Sequence, residues 1–220
     1  MEERSVVTCF LRNGADILLV RRSDSVGSYR GQWGGVSGYA EGRPTEAARW
    51  EIDEETGLSD AVEFVRRADP LTVEDEDRGV RWLVHPFLFD CDSTDVTANE
   101  ELAAFEWVQP PAILDRETVP NLWESYAAVG PTVESVASDS EHGSAYLSVR
   151  ALEVLRDRAA LAIRDGEGYD PVVECARRLR TVRPSMGVVR NRIDRVMATA
   201  DTSAAAVRDR TIEGCDRAVA

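Results

Sequence analysis

Residues 35–58 read GVSGYAEGRPTEAARWEIDEETGL, and this stretch carries the strongest fold signal in the chain. Pro44 suits the first turn of a helix and Gly57 suits the left-handed position that ends one, so a helix is predicted between them. Successive side chains on a helix are about 100° apart, which places three carboxylates within an arc of about 100° on one face. These are Glu51, Glu54 and Glu55.

Clustered carboxylates repel one another unless a cation neutralises them. Oxygen ligands suit a hard divalent cation, so the pattern predicts a site for Mg²⁺ or Mn²⁺. A pyrophosphate would complete the coordination, and a free glutamate could take the proton of an attacking water. The alternative is an acidic, solvated helix face, which is common in a protein this acidic.

The same residues resemble the box of the Nudix hydrolase family, G-x5-E-x7-R-E-U-x-E-E-x-G-U, where U is a bulky aliphatic residue. The second half of the box matches at every defined position after the arginine: Glu51, Ile52, Glu54, Glu55, Gly57 and Leu58. The resemblance implies an α/β (α+β) fold, a Nudix α/β/α sandwich with a mixed sheet. It implies cleavage of a pyrophosphate bond in a nucleoside diphosphate linked to a group X, such as ADP-ribose, a nucleotide sugar or a nucleoside triphosphate.

By the same resemblance, the Gly35 carbonyl, Glu51 and Glu55 would be metal ligands, and Glu54 would be a ligand or the catalytic base. Family members often add an acidic residue from a later loop, and Asn99-Glu100-Glu101 resembles that segment. Glu101 is predicted as the second catalytic residue in preference to Glu100.

The chain departs from the box in two ways. It has one residue too many between Gly35 and Glu51, which we place in the loop 38–43 because an insertion within the helix would rotate its start. The box arginine, which helps to hold the glutamates in the family, is then replaced by Trp50. Arg49 is a candidate substitute. These departures keep a second hypothesis open, a non-catalytic domain that senses a nucleotide.

Substrate contacts are predicted near the glycine-rich segment 27–38. Arginines there could bind phosphates and aromatic rings could stack on a base, although structural roles are the alternative for each. The candidates are Arg21, Arg22, Arg30, Trp33 and Tyr39. A later strand contains Trp82, His85 and Phe87, which we assign to one sheet face and to the core.

The chain is predicted to hold two domains. Residues 1–130 alternate strands and helices, beginning with a hairpin around Asn13-Gly14. Residues 131–143 are rich in Pro, Ser, Thr, Glu and Asp and are predicted to be a linker, and the apolar spacing in 144–220 is helical. Helical phase continues to the last residue, so a longer protein is expected.

The stretch Val182-Arg183-Pro184-Ser185-Met186, followed by Val189-Arg190-Asn191, gives the helical segment a weaker resemblance. It is similar to the N-terminal helical region of the family that contains the α-subunit of translation initiation factor 2B and ribose-1,5-bisphosphate isomerase. The resemblance implies a packing or oligomerisation module, through which a homo-oligomer could form. In that family the sugar-phosphate chemistry lies mostly in a later Rossmann-like domain, so no isomerase activity is assigned to this chain. A translation-factor-like scaffold and an unrelated helical bundle are the alternatives.

Composition limits the partners. The formal net charge of −14 argues against binding to duplex nucleic acid, which needs basic residues to neutralise phosphates. All 26 basic residues are arginine, and the acidic composition is typical of a salt-loving cell. Four cysteines without C-x-x-C spacing predict neither a zinc site nor a disulfide framework. The chain has no apolar run as long as a membrane span and no signal-peptide pattern, so a cytoplasmic location is expected.

Overall fold

The computed structural model describes residues 1–219 and divides the chain into two compact units, Met1–Gly130 and Pro131–Ala220. The first unit is a mixed sheet with helices, and the second is helical. Within the described residues, no helix combines the length and the apolar character needed to cross a membrane.

The first unit contains eight strands and two α-helices. The strands are β1 (Glu2–Asn13), β2 (Asp16–Arg22), β3 (Trp33–Gly34), β4 (Val36–Tyr39), β5 (Val62–Arg67), β6 (Leu71–Asp75), β7 (Val80–Cys91) and β8 (Leu102–Val108). The helices are α1 (Pro44–Thr56) and α2 (Leu122–Val129).

Strand β1 organises the sheet. It runs parallel to β7 and antiparallel to β2 and β4, so the sheet is mixed as predicted. The sheet order is β3-β2-β1-β7-β5, while β6 pairs with β7 and β8 pairs with β2. The predicted hairpin is confirmed, because Arg12 pairs with Ile17 across a turn in which Gly14 has a φ of 62°.

The two helices cover opposite faces of the sheet. Ala48 and Ile52 of α1 are fully buried in the same cluster as Cys9 of β1. On the other face, the ring of Phe10 packs edge-on against Tyr126 of α2, with centroids 5.5 Å apart. Neighbouring residues of a strand point to opposite faces, so Cys9 and Phe10 anchor the two helices of an α/β/α arrangement.

The predicted bounds of the acidic helix are confirmed. Pro44 is its first residue, and Gly57 follows its end with a φ of 67° and an N–H that donates to the Asp53 carbonyl. The loop before the helix has two residues with positive φ, Glu41 at 46° and Gly42 at 75°. This tight turn lies in the loop to which the extra residue was assigned.

The described part of the second unit, residues 131–219, contains five helices. Residues 131–143, predicted as a linker, instead include a short helix. Thr132 and Ser135 cap its start through reciprocal side-chain and backbone hydrogen bonds, a local signal that a composition argument overlooks. The helices are α3 (Val133–Ser138), α4 (Ser144–Arg164), α5 (Asp170–Thr181), α6 (Gly187–Thr199) and α7 (Ala204–Val219).

Candidate active site

A cavity of about 330 Å³ opens in the first unit beside helix α1. Glu51, Glu54 and Glu55 all line it, so one helix supplies three carboxylates to one wall. Glu101, from the loop before β8, also lines the cavity, whereas Glu100 lies outside it. The backbone carbonyl of Glu100 instead accepts hydrogen bonds from the hydroxyls of Ser23 and Ser25.

The carboxylates differ in burial, because they lie at different angles on the helix. Glu55 is 2% exposed, Glu51 is half-buried and Glu54 is exposed. One oxygen of Glu55, Oε2, is buried and has no hydrogen-bond partner among the described residues. A buried oxygen without a donor is costly, so the site is built for a group that supplies the missing interaction.

Burial and mutual repulsion raise the pKa of two of these groups. The pKa of Glu55 rises to about 8, first because burial disfavours its charged form and then because Glu51 is close. The pKa of Glu51 rises to about 7, first through burial and then through repulsion by Glu54 and Glu101. Both shifts favour the neutral form, so a bound cation would stabilise the ionised cluster.

Arg22 is the positive charge that acts on both carboxylates. It ends strand β2, lines the cavity and lowers the pKa of Glu51 and of Glu55. Its Nε donates to the Ser28 carbonyl at 2.9 Å and its Nη1 to the Ser37 hydroxyl at 3.0 Å. Two bonds to different segments fix the guanidinium in place.

Two glycines allow the backbone to come close to its neighbours. A Cβ on Gly38 would overlap the carboxylate of Glu51, so glycine at this position leaves the space that Glu51 occupies. A Cβ on Gly35 would lie 2.8 Å from the Cys9 carbonyl oxygen. Close packing against β1 therefore accounts for a glycine at this position. Gly35 lies outside the cavity wall.

Trp50, at the position of the box arginine, is 70% exposed. Its indole Nε1 donates to Oε2 of Glu54 at 2.8 Å, as residues four apart on a helix can do. Arg49 is exposed and lies outside the cavity wall. The tryptophan thus supplies one donor to Glu54 but no charge.

The predicted substrate residues divide into two groups. Arg22 and Tyr39 line the cavity, and Tyr39 is 54% exposed at its mouth. Outside the cavity wall, Arg21 donates to the Gly31 carbonyl and Arg30 to the Val26 carbonyl. Trp33 lies beneath the guanidinium of Arg116, which is 4.4 Å from the ring centroid.

Sequence reasoning missed the apolar wall of the cavity. Trp82 lines it together with Val84, Val73 and Val6. Grouping Trp82 with Phe87 on one face was wrong, because residues an odd number apart on a strand point to opposite faces. Phe87 packs in the cluster beneath helix α1, whereas Trp82 packs with Val73 in a separate cluster. Odd and even spacing along the strand, applied correctly, would have placed Trp82 and Phe87 on different faces.

Among the described residues, no group of three His, Cys, Asp or Glu side chains has the geometry to hold a metal ion in this conformation. The donor set nevertheless fits a hard divalent cation, since it consists of carboxylates only. The unpartnered Oε2 of Glu55 and the raised pKa values of Glu51 and Glu55 agree with that fit.

The first unit is thus an α/β domain with a mixed sheet between two helices, and three glutamates of one helix line its cavity. The sequence model of the NUDIX domain matches residues 2–129, and the chain belongs to the Nudix hydrolase family, whose enzymes act on pyrophosphate bonds.

A curated relative and two solved structures show what the chain is similar to. The chain is 32% identical over 120 residues to nucleoside triphosphatase NudI of Salmonella arizonae, a match that covers 50% of this chain and 84% of the relative. The solved Nudix hydrolase RenU of M. smegmatis is 19% identical, with 59% of this chain and 87% of that chain covered and a TM-score of 0.48. An Ap4A hydrolase of C. elegans is 14% identical, with coverage of 57% and 94% and a TM-score of 0.49.

Proposed function

We propose that this protein is a Mg²⁺-dependent hydrolase that cleaves the pyrophosphate bond of a nucleoside diphosphate linked to a group X. The observation that carries the proposal is the cluster of Glu51, Glu54 and Glu55 in one cavity beside Arg22. Acidic residues alone would repel a polyphosphate, so the cluster makes chemical sense only with a cation between the two.

In this proposal Glu51 and Glu55 hold Mg²⁺ or Mn²⁺, with Glu54 as a further ligand or as the base. The family resemblance adds the Gly35 carbonyl as a donor, but Gly35 lies outside the cavity wall, so the glutamates carry the proposal. The bound cation would offset the charge of the diphosphate and polarise its oxygens. Glu54 is the most exposed of the three carboxylates and is therefore placed to take the proton of an attacking water. Glu101 faces the same cavity and is a second candidate for this role.

The opposite wall suits the nucleoside end of the substrate. Trp82, Val73 and Val84 are apolar and largely buried, while Tyr39 is exposed at the mouth and offers a ring for stacking. A base on this wall would place the diphosphate toward Arg22 and the glutamates. The Salmonella relative is named a nucleoside triphosphatase, which favours a nucleoside triphosphate over ADP-ribose or a nucleotide sugar as the first substrate to test.

The deciding experiment measures phosphate-containing products from a panel of these three substrate classes, with Mg²⁺ and in molar KCl because the chain is strongly acidic. The rate of the Glu54→Gln variant should be about 10²-fold to 10⁴-fold lower than that of the wild-type protein. Glu74→Gln, on a hairpin outside the cavity, is the matched control and should keep the wild-type rate. Equal rates in wild type and Glu54→Gln would refute the proposed role of Glu54.

A second candidate is a non-catalytic domain that binds a nucleotide and regulates the helical unit. Trp50 favours it, because the helix lacks a positive charge at that position. Nucleotide binding by calorimetry, with no turnover of any panel substrate, would select this candidate over hydrolysis.

We also propose that the helical unit is the N-terminal part of a longer domain like that of initiation factor 2B or the isomerase, and that it packs against a second copy. Ile163 of α4 is a large apolar side chain that is 40% exposed, so this position is used to test the contact. Light scattering should give a mass above that of one chain, and Ile163→Glu should lower it. A monomeric wild-type protein would refute this contact.

A further inference from the structure

The loop between β2 and β3, residues 23–32, forms one side of the cavity. Its residues 25–29 all line the cavity. Tyr29, the last of these, has a φ of 52°, in the left-handed region that residues with a side chain rarely adopt. Such a conformation persists only where surrounding contacts hold it in place. The contacts of the Tyr29 side chain therefore show what holds the loop.

The hydroxyl of Tyr29 ties the loop to the hairpin between β6 and β7. It donates to Oδ2 of Asp75 at 2.6 Å. The guanidinium of Arg78, which pairs with Asp75 at 3.4 Å, lies 4.8 Å from the centroid of the Tyr29 ring. The pKa of Asp75 is lowered, first by the bond from Tyr29, so the acceptor is ionised at neutral pH. A hydrogen bond to a charged acceptor is stronger than one between neutral groups.

The ring of Tyr29 packs at the edge of the apolar wall. Its centroid is 6.1 Å from that of Trp82, and the two rings are tilted by 53°. Val73 of β6 pairs with Trp82 of β7, and Asp75 lies two residues after Val73, on the same face of the strand. The acceptor of the Tyr29 hydroxyl and the apolar wall thus belong to one face of the hairpin. The bond to Asp75 consequently fixes the ring beside that wall.

The start of the same loop has a separate anchor. The hydroxyls of Ser23 and Ser25 donate to the Glu100 carbonyl at 2.7 Å and 3.0 Å. The N–H of Ser23 donates to the Glu101 carbonyl at 2.8 Å. The loop therefore joins the segment that carries Glu101 at one end and the hairpin that carries the apolar wall at the other. Each anchor can be removed without touching the other.

We propose that Tyr29 is the positioning residue of the apolar wall: bonded to Asp75 and packed against Trp82, it holds the loop in place and so sets how tightly the cavity binds the nucleoside end of a substrate. The inference deepens the proposed function and rests on it for the identity of the ligand. Two other roles compete with it. One is a bond that stabilises the hairpin without affecting binding, and the other is a general fastening of the loop in which every anchor counts equally.

The first test measures binding without turnover. Calorimetry with Mg²⁺ in molar KCl gives the affinity of ATP, GTP, CTP and UTP for the Glu54→Gln protein, with and without Tyr29→Phe, which keeps the ring and removes only the hydroxyl. The best-bound nucleotide should bind about fivefold to tenfold more weakly after Tyr29→Phe. Inorganic tripolyphosphate, which has no nucleoside, should bind both proteins equally. Equal losses for the two ligands, or no loss for the nucleotide, would overturn the proposal.

A double-mutant comparison shows whether the effect depends on Asp75. Asp75→Ala removes the acceptor and should weaken binding of the same nucleotide by a similar factor, and Tyr29→Phe should then weaken it no further. Tyr169→Phe makes the same chemical change outside the cavity wall, in the residue before helix α5, and should leave the affinity unchanged. Additive losses for Tyr29→Phe and Asp75→Ala would mean that the bond between them does not position the wall.

Kinetics separate the two ends of the loop. In the protein with Glu54 intact, Tyr29→Phe should raise KM by about fivefold to tenfold with little change in kcat, because the lost interaction concerns binding and not the chemical step. Ser25→Ala removes a bond of the other anchor and should raise KM less. A fall in kcat with unchanged KM in Tyr29→Phe, or an equal rise in KM in both variants, contradicts the positioning role.

Failure of this inference and failure of the proposed hydrolysis give different results. If the nucleotides bind but the wild-type protein does not cleave them, the hydrolysis fails, and the binding comparisons still decide the role of Tyr29. If none of the four nucleotides binds, the inference about Tyr29 fails together with the assignment of a nucleoside to the apolar wall.

Discussion

Two acidic groups in the first unit differ in how their charges are compensated. In the hairpin between β6 and β7, Glu74 pairs with Arg81 at 3.0 Å and Asp75 pairs with Arg78 at 3.4 Å. Asp75 also accepts a hydrogen bond from the Tyr29 hydroxyl at 2.6 Å, and this bond is the main reason that its pKa is lowered.

The glutamates of helix α1 show the opposite behaviour. Burial and mutual repulsion raise the pKa of Glu51 and Glu55, and Arg22 offsets this only in part. Acidic residues paired with arginine stabilise a turn, whereas acidic residues crowded into a cavity without enough cations destabilise the free protein. Such an arrangement is expected where a ligand completes the site.

The largest effect that would test this contrast comes from glycine substitutions. Gly38→Ala should displace the carboxylate of Glu51 by about 1 Å or more and lower kcat by about 100-fold, because small misplacements of catalytic groups are costly. Steady-state hydrolysis of the best panel substrate measures it. Gly79→Ala, in the hairpin, should cost about 1 to 2 kcal/mol of stability through its φ of 66° and leave kcat unchanged. Unchanged kcat in Gly38→Ala would show that Glu51 need not stay in place.

The second test uses pH. The folded-state pKa values of Glu55 and Glu51 are about 8 and about 7, and both lie above the ordinary value of 4.5. Between pH 4.5 and about 8, the folded protein therefore binds more protons than the unfolded chain. Stability of the metal-free protein should therefore fall as pH rises from about 4.5 to 8, by about 2 kcal/mol after allowance for solvent screening.

Urea unfolding at a series of pH values, with a chelator present, measures this slope. The Glu51→Gln/Glu55→Gln variant should show a flatter dependence, because its side chains do not ionise. Asp75 has a lowered pKa and the opposite sign, since its contribution is present above its ordinary value of 3.8 and is lost at more acidic pH. A double variant with the wild-type slope would place the pH dependence elsewhere in the chain.

The smallest effect is expected in the hairpin. Glu74→Gln removes an ion pair whose side chains are about half exposed, and such pairs contribute about 0.5 kcal/mol or less. Chemical unfolding should therefore give nearly the wild-type free energy. A loss above about 1 kcal/mol would mean that the hairpin charges matter as much as those of the cavity.

Local patterns in the sequence predicted the helix and its carboxylate face. Pro44 and Gly57 act within one turn of the chain, and helical spacing alone places Glu51, Glu54 and Glu55 together. The Asn13-Gly14 turn likewise defines its own hairpin. Composition was a weaker guide in residues 131–143, where the capping bonds of Thr132 form a helix in a segment rich in turn residues.

The substrate wall could not be predicted in this way. Arg21, Arg22 and Arg30 look alike in the sequence, yet only Arg22 faces the cavity, because strand register and two hydrogen bonds select it. Trp82 lies far from the acidic helix along the chain and reaches the same cavity through the pairing of β6 with β7 and of β1 with β7.

The sequence by itself determined the family, the acidic helix and the oxygen-donor chemistry, since these depend on residue type and on spacing within a few turns of chain. Only the tertiary structure decided which glycine makes room for Glu51, which arginine compensates the glutamates and which aromatic ring lines the cavity. Those choices depend on strand register and packing between residues distant in the chain, and no local spacing encodes them.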